Sequence, residues 1–586
     1  MGCSQSSNPL SHKTGPLARL KRTVVLAGVV CVTIVAYAPA QDQPASTQTE
    51  VVGGTVVNAV TQEPVSRALV TSTDERFAAL TDSSGHFEFA VPKEQSQATT
   101  DTNTGLHRFD FASRREGLWL SARKPGFLNE QDTQPYLRSV AGKDNIIALV
   151  PEALIKGRIS LSTGEPASGV MVQLYSRQVS SGFPKWVPLK TGRTNSSGEF
   201  RFAELSGGAY KLTTLEFSDS DPQATAPGDD LSVFPPAYYP EASDFNAGAS
   251  INVVSGQVVE TNLTLTLQRY YQIRIPVASA EPNIGLNVSV QGQHGPGFAL
   301  GYNAAERRIE GSLPNGNYVV EATTYNPPSS SGSINLNVQG GPTEGPVLSL
   351  ARDATIPVEV KEEFNDKIWN GSVIVSNGGR SFSLNGPRRY LSVYAEDTGE
   401  SSTHPRGGTL RPPTGPNDNA LVLENLPPGS YWVHLDTSRG YVASATSGNI
   451  DLLREPLRVV SASNSPIEVT LRDDGASIEG TIANWSEWSA KIEPGAAVYL
   501  IPLPDSSGQF QQLGIVDGKF EFSMLAPGSY RVMASAKPLR NLPYRDPGDM
   551  KAYEAKGQVI RAVAGQKLTI QVPLISASDE TSQEKQ

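Results

Sequence analysis

A short phrase built around Gly-x-Tyr occurs four times in this 586-residue sequence. The copies read LSGGAYKLTT, LPNGNYVVEA, LPPGSYWVHL and LAPGSYRVMA, and their glycines are Gly208, Gly316, Gly429 and Gly528. Successive glycines are therefore 108, 113 and 99 residues apart. Self-similarity at the size of a whole domain indicates related domains, since solenoid repeats have shorter periods. The chain is predicted to be an array of similar domains.

A second recurring phrase precedes the first and predicts a turn followed by a strand. It reads TDSSGHFEF (81–89), TNSSGEFRF (194–202) and VDGKFEF (516–522). Polar residues with glycine are typical of a turn, and the alternation places Phe87 and Phe89, like their counterparts, on one face of a strand. We expect the glycine of Gly-x-Tyr to form a turn with positive φ. We expect the tyrosine to pack at a sheet corner with its hydroxyl bonded to the backbone.

The fold class predicted from these patterns is all-β. No segment after residue 40 sustains a helical period, and Gly-containing strands with similar text open several modules, as in VVGGTVV, IKGRISL and IEGTIAN. The prediction is a tandem array of about five Ig-like or transthyretin-like β-sandwich domains after an N-terminal signal or anchor segment. Very short linkers lead us to expect a semi-rigid rod. The predicted ranges are 1–40 (signal peptide or anchor), 41–50 (linker), 51–152 (β-sandwich 1), 153–269 (2), 270–352 (3, degenerate), 353–473 (4, degenerate), 474–576 (5) and 577–586 (disordered tail).

The order of these phrases resembles the carboxypeptidase regulatory-like domain. The order is Gly-x-(Ile/Val), a Pro/Gly loop and an apolar strand, then T-(D/N)-x-x-G-x-F-x-F, and then L-x-x-G-x-Y-x-V. The match is good in modules 1, 2 and 5 and partial in modules 3 and 4. The segment YYPEASDFNAGASINVVSGQ is similar to text in secreted multi-domain proteins of soil bacteria such as acidobacteria. The resemblance implies a transthyretin-like or starch-binding-like sandwich with a secreted, accessory, non-catalytic role.

The first 40 residues have the composition of a secretory signal peptide. A basic stretch ending in LARLKR precedes the apolar run TVVLAGVVCVTIVAYA, and Ala38-Pro39-Ala40 forms a small-x-small site before Gln41. The alternative is one uncleaved N-terminal transmembrane helix, for which the run is short. A myristoylation pattern at MGCSQS is disfavoured by the apolar run behind it. Both cysteines, Cys3 and Cys31, lie in this leader, so a mature chain would have no thiol chemistry.

The charge of the chain argues against nucleic-acid binding. The formal net charge is −10, and the leader holds four cations and no acids, so the remainder carries −14. We expect a location outside the cytoplasm: secreted, periplasmic or at the cell surface. The membrane would be contacted only through an uncleaved N-terminal segment.

The sequence predicts no catalytic, metal or cofactor site. None of the six histidines has a glutamate three residues later, as metallocarboxypeptidases require, and HExxH, CxxC and Walker-type motifs do not occur. A catalytic triad from distant loops stays open, because sequence spacing does not test it. Four aspartates in one loop lack EF-hand spacing and are interpreted as solvated acids; they are Asp219, Asp221, Asp229 and Asp230.

A pilin-like Lys–Asn isopeptide bond is also considered, because pilin modules end in G-x-Y-x-x-E. Gly316, Tyr318 and Glu321 fit that pattern, but residues 270–352 contain no lysine. The other three copies lack the glutamate. Such a bond is therefore not expected within module 3.

Three aromatic loops are candidates for ligand binding, because exposed rings stack on the C–H face of a sugar while polar neighbours bind its hydroxyls. The alternative, which we favour, is that these rings fold back over their own sandwich. The candidate residues are Phe234, Tyr238, Tyr239 and Asp244 in FPPAYYPEASDF, Trp485 and Trp488 in NWSEWS, and Tyr544, Arg545 and Tyr553 in NLPYRDPGDMKAY.

The function predicted from the sequence is that of an exported, non-catalytic β-sandwich repeat protein that binds or scaffolds other molecules in the cell envelope or outside the cell. Glycans and envelope proteins are the expected partner classes. Two alternatives are an accessory or cryptic hydrolase component and a purely structural spacer. Clustering of His, Asp and Ser in one pocket would favour the hydrolase, and buried loop aromatics would favour the spacer.

Overall fold

The fold is nearly all β, as predicted, and its strands form successive two-layered β-sandwiches. The computed structural model describes residues 49–72, 75–92, 119–128, 137–138, 145–218, 231–242, 244–278, 285–290, 298–324, 329–365, 374–377, 380–383, 386–399, 407–414, 418, 420–460, 464–488, 496–536, 538–539 and 542–575. The leader with Cys3 and Cys31, the four aspartates of the 219–230 loop and the tail lie outside these ranges. We keep the predicted module numbers as labels for the sheets, and the boundaries themselves stay predictions.

Module 1 has two sheets of order β4-β1-β7 and β3-β2-β5-β6. Its core contains the predicted pair Phe87 and Phe89, both buried. Its strands are β1 Thr49–Asn58, β2 Leu69–Ser72, β3 Ala78–Leu80, β4 His86–Pro92, β5 Trp119–Arg123, β6 Leu137–Arg138 and β7 Asn145–Leu149.

Module 2 repeats this arrangement with sheets β11-β8-β15 and β10-β9-β12-β14. Leu263 and Leu265 are buried, whereas Leu267, two residues beyond the end of their strand, is exposed. The strands are β8 Ala153–Leu161, β9 Met171–Ser180, β10 Phe183–Arg193, β11 Glu199–Leu205, β12 Gly208–Thr214, β13 Leu231–Val233, β14 Ile251–Val253, β15 Val258–Glu260 and β16 Leu263–Leu265.

Module 3 is joined to module 2 by more than the linker. Strand β13 pairs with the opening strand of module 3, and the Glu216 carboxylate accepts a hydrogen bond from the Ala299 amide. The strands are β17 Gln268–Ala278, β18 Leu286–Val290, β19 Gly301–Asn303, β20 Arg308–Pro314, β21 Gly316–Thr324, β22 Ser330–Val338, β23 Thr343–Glu344, β24 Leu348–Ser349 and β25 Ala351–Arg352.

Module 4 closes its two layers into one nine-stranded sheet, because β30 pairs with β29 of one layer and β31 of the other. Its elements are β26 Ala354–Glu363, β27 Ile374–Asn377, β28 Arg380–Ser383, the 3₁₀ helix η1 Gly386–Arg389, β29 Leu391–Asp397, β30 Gly407–Leu410, β31 Leu421–Leu426, β32 Gly429–Thr437, β33 Tyr441–Ser447, β34 Ile450–Asp451, β35 Leu457–Val459 and β36 Ile467–Arg472.

Module 5 returns to two sheets, β40-β37-β43 and β39-β38-β41-β42. Its elements are β37 Ala476–Ile482, helix α1 Trp485–Trp488, β38 Ala497–Pro502, β39 Gln511–Gly514, β40 Lys519–Leu525, β41 Gly528–Ser535, helix α2 Pro547–Met550, the 3₁₀ helix η2 Lys551–Tyr553, β42 Gln558–Ala562, β43 Lys567–Val572 and β44 Leu574–Ile575.

One connectivity recurs in all five modules. The opening strand of each lies between an antiparallel strand and a parallel closing strand, as β1 lies between β4 and β7. The same holds for β8, β17, β26 and β37. Modules 3 and 4 are therefore degenerate in sequence while their strands keep the common order.

The Gly-x-Tyr phrase forms the corner that its sequence predicts. In each of the four copies the tyrosine hydroxyl donates to the backbone carbonyl four residues earlier. The pairs are Tyr210–Ser206 (2.6 Å), Tyr318–Pro314 (2.9 Å), Tyr431–Pro427 (2.7 Å) and Tyr530–Ala526 (2.6 Å). Positive φ explains the glycine only in part, since Gly528 has φ 141° but Gly429 has no positive φ. A side chain at Gly429 would instead begin 3.2 Å from the Tyr431 hydroxyl.

Candidate functional site

A β-hairpin of module 2 reaches modules 4 and 5, which follow it in the chain by more than 200 residues. Strands β9 and β10 are joined by Ser181 and Gly182, whose φ values of 53° and 84° are typical of a two-residue type I′ turn. We call the contacts of this turn the three-module junction; it comprises Ser180, Ser181, Gly182, Phe183 and Lys185 of module 2, Glu396, Trp432 and His434 of module 4, and Tyr544 and Arg545 of module 5.

The Glu396 carboxylate is the charged centre of the three-module junction. It accepts hydrogen bonds from Lys185 Nζ (2.6 Å), Ser181 Oγ (2.6 Å), Ser180 Oγ (3.0 Å) and His434 Nε2 (3.0 Å). The side chains of Lys185 and Glu396 are 15% and 25% exposed, so their ion pair is partly shielded from water. The hydrogen bonds from His434, Lys185 and Ser181 hold the pKa of Glu396 well below its usual value.

Aromatic rings and one arginine complete the junction. Phe183 stacks on Trp432 with ring centroids 4.9 Å apart and planes 20° apart. The Arg545 guanidinium lies 5.2 Å from the Trp432 ring centroid and 5.9 Å from that of Phe183. Module 5 is thereby attached to the same ring pair.

The turn glycine is required by the close approach of module 5. The Arg545 amide donates to the Gly182 carbonyl (3.1 Å), and a Cβ at Gly182 would lie 2.8 Å from the Tyr544 ring. Tyr544 in turn stacks on Phe510 at 4.2 Å. These contacts correct the expectation of a semi-rigid rod, in which module 2 would touch only modules 1 and 3. Linker length limits only the distance between modules that are adjacent in the sequence. A long hairpin can contact modules that are distant in the sequence.

The polar groups of the three-module junction hold the modules together and do not form a catalytic triad. A histidine, a carboxylate and serines meet there, which are the residue types of a hydrolase. In a triad the serine hydroxyl donates to the imidazole. Here Ser180 and Ser181 donate to Glu396 instead, and His434 bonds the same carboxylate. The arrangement thus stabilises the negative charge of the Glu396 carboxylate and activates no serine hydroxyl.

A cleft of about 440 Å³ lies next to the junction, between modules 4 and 5. Module 4 contributes the ends of β29 and β32, and module 5 contributes residues 507–511 and the end of β40. Its walls are joined by hydrogen bonds from Gln509 Nε2 to the Leu435 carbonyl and from Tyr441 Oη to Asp474 (2.9 Å). The lining residues include Tyr390, Ser392, Asp436, Thr437, Ser438, Tyr441, Ser507, Gln509, Gln511 and Tyr530.

The loop FPPAYYPEASDF lies over its own module. Phe234 and Tyr238 are only 5% and 6% exposed, and burial raises the pKa of Tyr238 to about 12. Tyr239 is half-buried against the core of module 2, and Asp244 is exposed and accepts from the Ala247 amide (2.9 Å). Of the three predicted rings in this loop, Tyr239 alone keeps a partly exposed surface for stacking.

A buried lysine fastens this loop. Lys211 Nζ donates to the carbonyls of Phe245 (2.7 Å) and Asn246 (3.1 Å). The same ammonium lies 5.2 Å from the ring centroid of Trp186 and 4.8 Å from that of Phe245. The loop is therefore held by a charge as well as by its apolar side chains.

The other predicted residues are placed in module 5. Trp485 and Trp488 of α1 are half-buried against the core of the module, and a Cβ at Gly518 would lie 2.5 Å from the Trp485 ring. Tyr544 and Arg545 belong to the three-module junction, whereas Tyr553 packs on a smaller cluster of module 5. The three candidate loops are not brought together, and ligand binding by their residues stays a prediction.

The sequence interpretation missed Glu396, Trp432 and Phe183. A signal was present in β32, where Tyr431, Val433 and Leu435 point inward and Trp432 and His434 therefore point outward. A tryptophan on the outer face of a strand indicates a contact surface. The partner, a turn more than 200 residues away, has no comparable pattern.

No group of histidine, cysteine, aspartate or glutamate suited to a metal ion occurs in the part of the chain that the structure describes. Within those same ranges, no helix combines the length and hydropathy needed to cross a membrane. Residues 23–38, on which the leader prediction depends, fall outside them.

No family model matches the chain, and no curated protein matches it. Solved structures that are similar in part include the Bacillus anthracis TIE protein, with 10% identity, TM-score 0.14, and coverage of 72% of this chain and 67% of that one. They also include a streptococcal ancillary pilin (9%, 0.17, 51% and 99%) and BcpA, the major pilin subunit of Bacillus cereus (8%, 0.12, 55% and 99%). At identities and TM-scores this low, none of the three structures assigns a function to this chain.

Proposed function

We propose that this chain is an exported, non-catalytic scaffold of the cell envelope or extracellular space, which binds a glycan or a protein through loops at the ends of its β-sandwiches. The leader composition, the net charge and the resemblance to carboxypeptidase regulatory-like modules support export and an accessory role. The three-module junction is the observation that carries the scaffold role.

The three-module junction limits how the loops of different modules move relative to one another. In an array with free joints the ligand-facing loops of different modules would move independently. Contacts through Glu396, Trp432 and Arg545 hold modules 2, 4 and 5 at one place. Loops from different modules can then act together on one partner without a further ordering cost at binding.

Export is tested by expressing the whole chain with a C-terminal tag in a Gram-negative bacterium. We expect the protein outside the cytoplasm, with Gln41 as its first residue by N-terminal sequencing. An uncut chain in the membrane fraction would support the anchor instead, and retention in the cytoplasm would contradict the proposal.

The partner class is tested with purified residues 41–586 on glycan arrays and by pull-down with envelope proteins. Tyr239→Ala is the matched variant for the module 2 loop, because it removes a partly exposed ring while Phe234 and Tyr238 keep the loop packed. Loss of glycan binding in this variant alone would locate the ligand at that loop.

A further inference from the structure

The outer face of module 4 carries a row of three cross-strand pairs on β29 and β32. The register pairs Glu396 with Trp432, Tyr394 with His434, and Ser392 with Asp436. These pairs lie on one face, because alternate residues of a strand point to the same side. The Glu396–Trp432 end is covered by modules 2 and 5 in the three-module junction. The Ser392–Asp436 end opens into the cleft between modules 4 and 5.

The three tyrosine hydroxyls at the bottom of this cleft already have hydrogen-bond partners within the protein. Tyr390 Oη donates to Glu362, Tyr441 Oη to Asp474 and Tyr530 Oη to the Ala526 carbonyl. These rings are buried and shape the bottom of the cleft.

The rim is different, because its polar side chains have no hydrogen-bond partner among the described residues. They come from both walls, and those of module 4 are exposed to solvent. The rim residues are Ser392, Asp436 and Ser438 of module 4 and Ser507 and Gln511 of module 5. Hydroxyl, amide and carboxylate groups that converge on a cleft without being used inside the protein are typical of a binding site.

The charge of the lining selects the ligand. Among the described residues that line the cleft, Asp436 is the one carboxylate, and none is a lysine, an arginine or a histidine. Phosphates and uronic acids would meet this negative charge with no cation among those lining residues to offset it. One carboxylate is also too few for a Ca²⁺ site, since Ca²⁺ takes six to eight oxygen ligands that usually include several carboxylate oxygens.

An aromatic ring lies beside this rim. Tyr394 is 39% exposed, its ring stacks on His434 at 4.4 Å, and it is two residues from Ser392 on the same face of β29. An exposed ring next to hydroxyl and carboxylate groups suits a molecule with an apolar C–H face and several hydroxyls.

We propose that the cleft between modules 4 and 5 binds a short neutral saccharide, with Asp436 accepting hydrogen bonds from its hydroxyls and Tyr394, beside the rim, stacking on one ring. The volume of about 440 Å³ lies at the lower end of the range for ligand sites and fits about one or two sugar rings. This proposal rests on the scaffold function above and assigns it a ligand class and a site. The walls come from two modules, so Glu396 and Trp432 act on binding as positioning residues.

The test is isothermal titration calorimetry of residues 41–586 with neutral disaccharides of glucose, galactose, mannose and N-acetylglucosamine. A disaccharide containing a uronic acid serves as the charged comparison. Asp436→Asn keeps the size of the side chain, and Tyr394→Ala removes the ring. Asp517→Asn changes an exposed aspartate outside the cleft and is the matched control. Circular dichroism checks that each variant is folded.

We expect at least one neutral disaccharide to bind, and each of the two cleft variants to raise its Kd about tenfold, the loss of one charge-assisted hydrogen bond or one stacked ring. Asp517→Asn should leave the Kd unchanged. Hydrogen exchange should slow in residues 434–442 and 507–511 when the saccharide is bound.

Three results would overturn the proposal. The first is equal binding by the folded cleft variants, which would place the saccharide elsewhere on the scaffold. The second is preference for the charged disaccharide. The third is binding of peptides or envelope proteins with no neutral saccharide bound, which would leave the scaffold function standing without this ligand. Cytoplasmic retention in the export experiment would instead count against the scaffold function itself.

Discussion

Phe183 in the hairpin of module 2 stacks on Trp432 of module 4, although 248 positions separate the two residues in the sequence. The planes of the rings are 20° apart and Arg545 of module 5 lies over both. All three modules thus contribute a side chain to this ring pair, and the strength of the stacking can be measured directly.

A double-mutant cycle on Phe183→Ala and Trp432→Ala measures this pair. Each single variant should destabilise the chain by about 1–3 kcal/mol, and the two losses should overlap by about 0.5–1.5 kcal/mol because the partner is already gone in the second step. Urea unfolding gives the energies, and small-angle X-ray scattering should show a larger radius of gyration for each variant. Strict additivity would mean that the rings do not stabilise the junction.

The stability that Glu396 provides should depend on pH. Its pKa is lowered in the folded chain, so its contribution is complete above the ordinary value of about 4.5 and is lost as the pH falls through the lower folded value. The difference in unfolding free energy between the wild type and Glu396→Gln should therefore be largest near pH 7, about 1–3 kcal/mol, and shrink steadily below pH 4.5.

The control for this titration is Glu359→Gln, which changes an exposed carboxylate of β26 away from the junction. The unfolding free energy of that variant should be close to that of the wild type both near pH 7 and below pH 4.5. A wild-type advantage over Glu396→Gln that grows in acid would contradict the assignment.

Tyr530→Phe should cost about 1–2 kcal/mol. The Tyr530 ring is fully buried and its hydroxyl donates to the Ala526 carbonyl at 2.6 Å, which the variant leaves without its partner. Tyr302→Phe, in the partly exposed strand β19, is the comparison and should be neutral. Thermal unfolding of the two variants measures the difference. Equal losses of stability would mean that the corner hydrogen bond does not cause the destabilisation of Tyr530→Phe.

Lys211→Met should loosen the loop of residues 231–250. The variant leaves the carbonyls of Phe245 and Asn246 without the ammonium and removes its contacts with the rings, at a cost of about 1–3 kcal/mol. Faster hydrogen exchange in this loop is the expected readout. Lys156→Met, at an exposed position of β8, should leave exchange in the loop as it is.

The recurring text predicted the modules because it encodes local structure. The Phe87–Phe89 alternation and the Tyr530 corner depend on neighbours within a few residues. Even modules 3 and 4, whose opening phrases are altered, keep the strand order of the others. Burial of Phe234 and Tyr238 also agrees with the interpretation favoured from the sequence, in which loop rings fold back over their own sandwich.

The junction and the cleft could not be predicted from local sequence patterns. Ser181 and Gly182 look like any hairpin turn, and Glu396 like any solvated acid on a strand. Their meeting depends on how whole modules are oriented, which no local pattern encodes. Asp436 likewise has no distinguishing sequence pattern. It lies at the rim of a cleft only because module 5 supplies the opposite wall.

The parallel pairing of opening and closing strands has a mechanical consequence. In module 5, β37 and β43 run side by side in the same direction over six paired residues, so the chain enters this sheet at one end of the ladder and leaves it at the other. A pull on the two ends of the module acts along the strands and loads these hydrogen bonds together in shear, whereas a hairpin pulled from its open end breaks them one by one. Single-molecule stretching should therefore show modules that yield abruptly, each as a unit, which is the behaviour of a tether that resists tension.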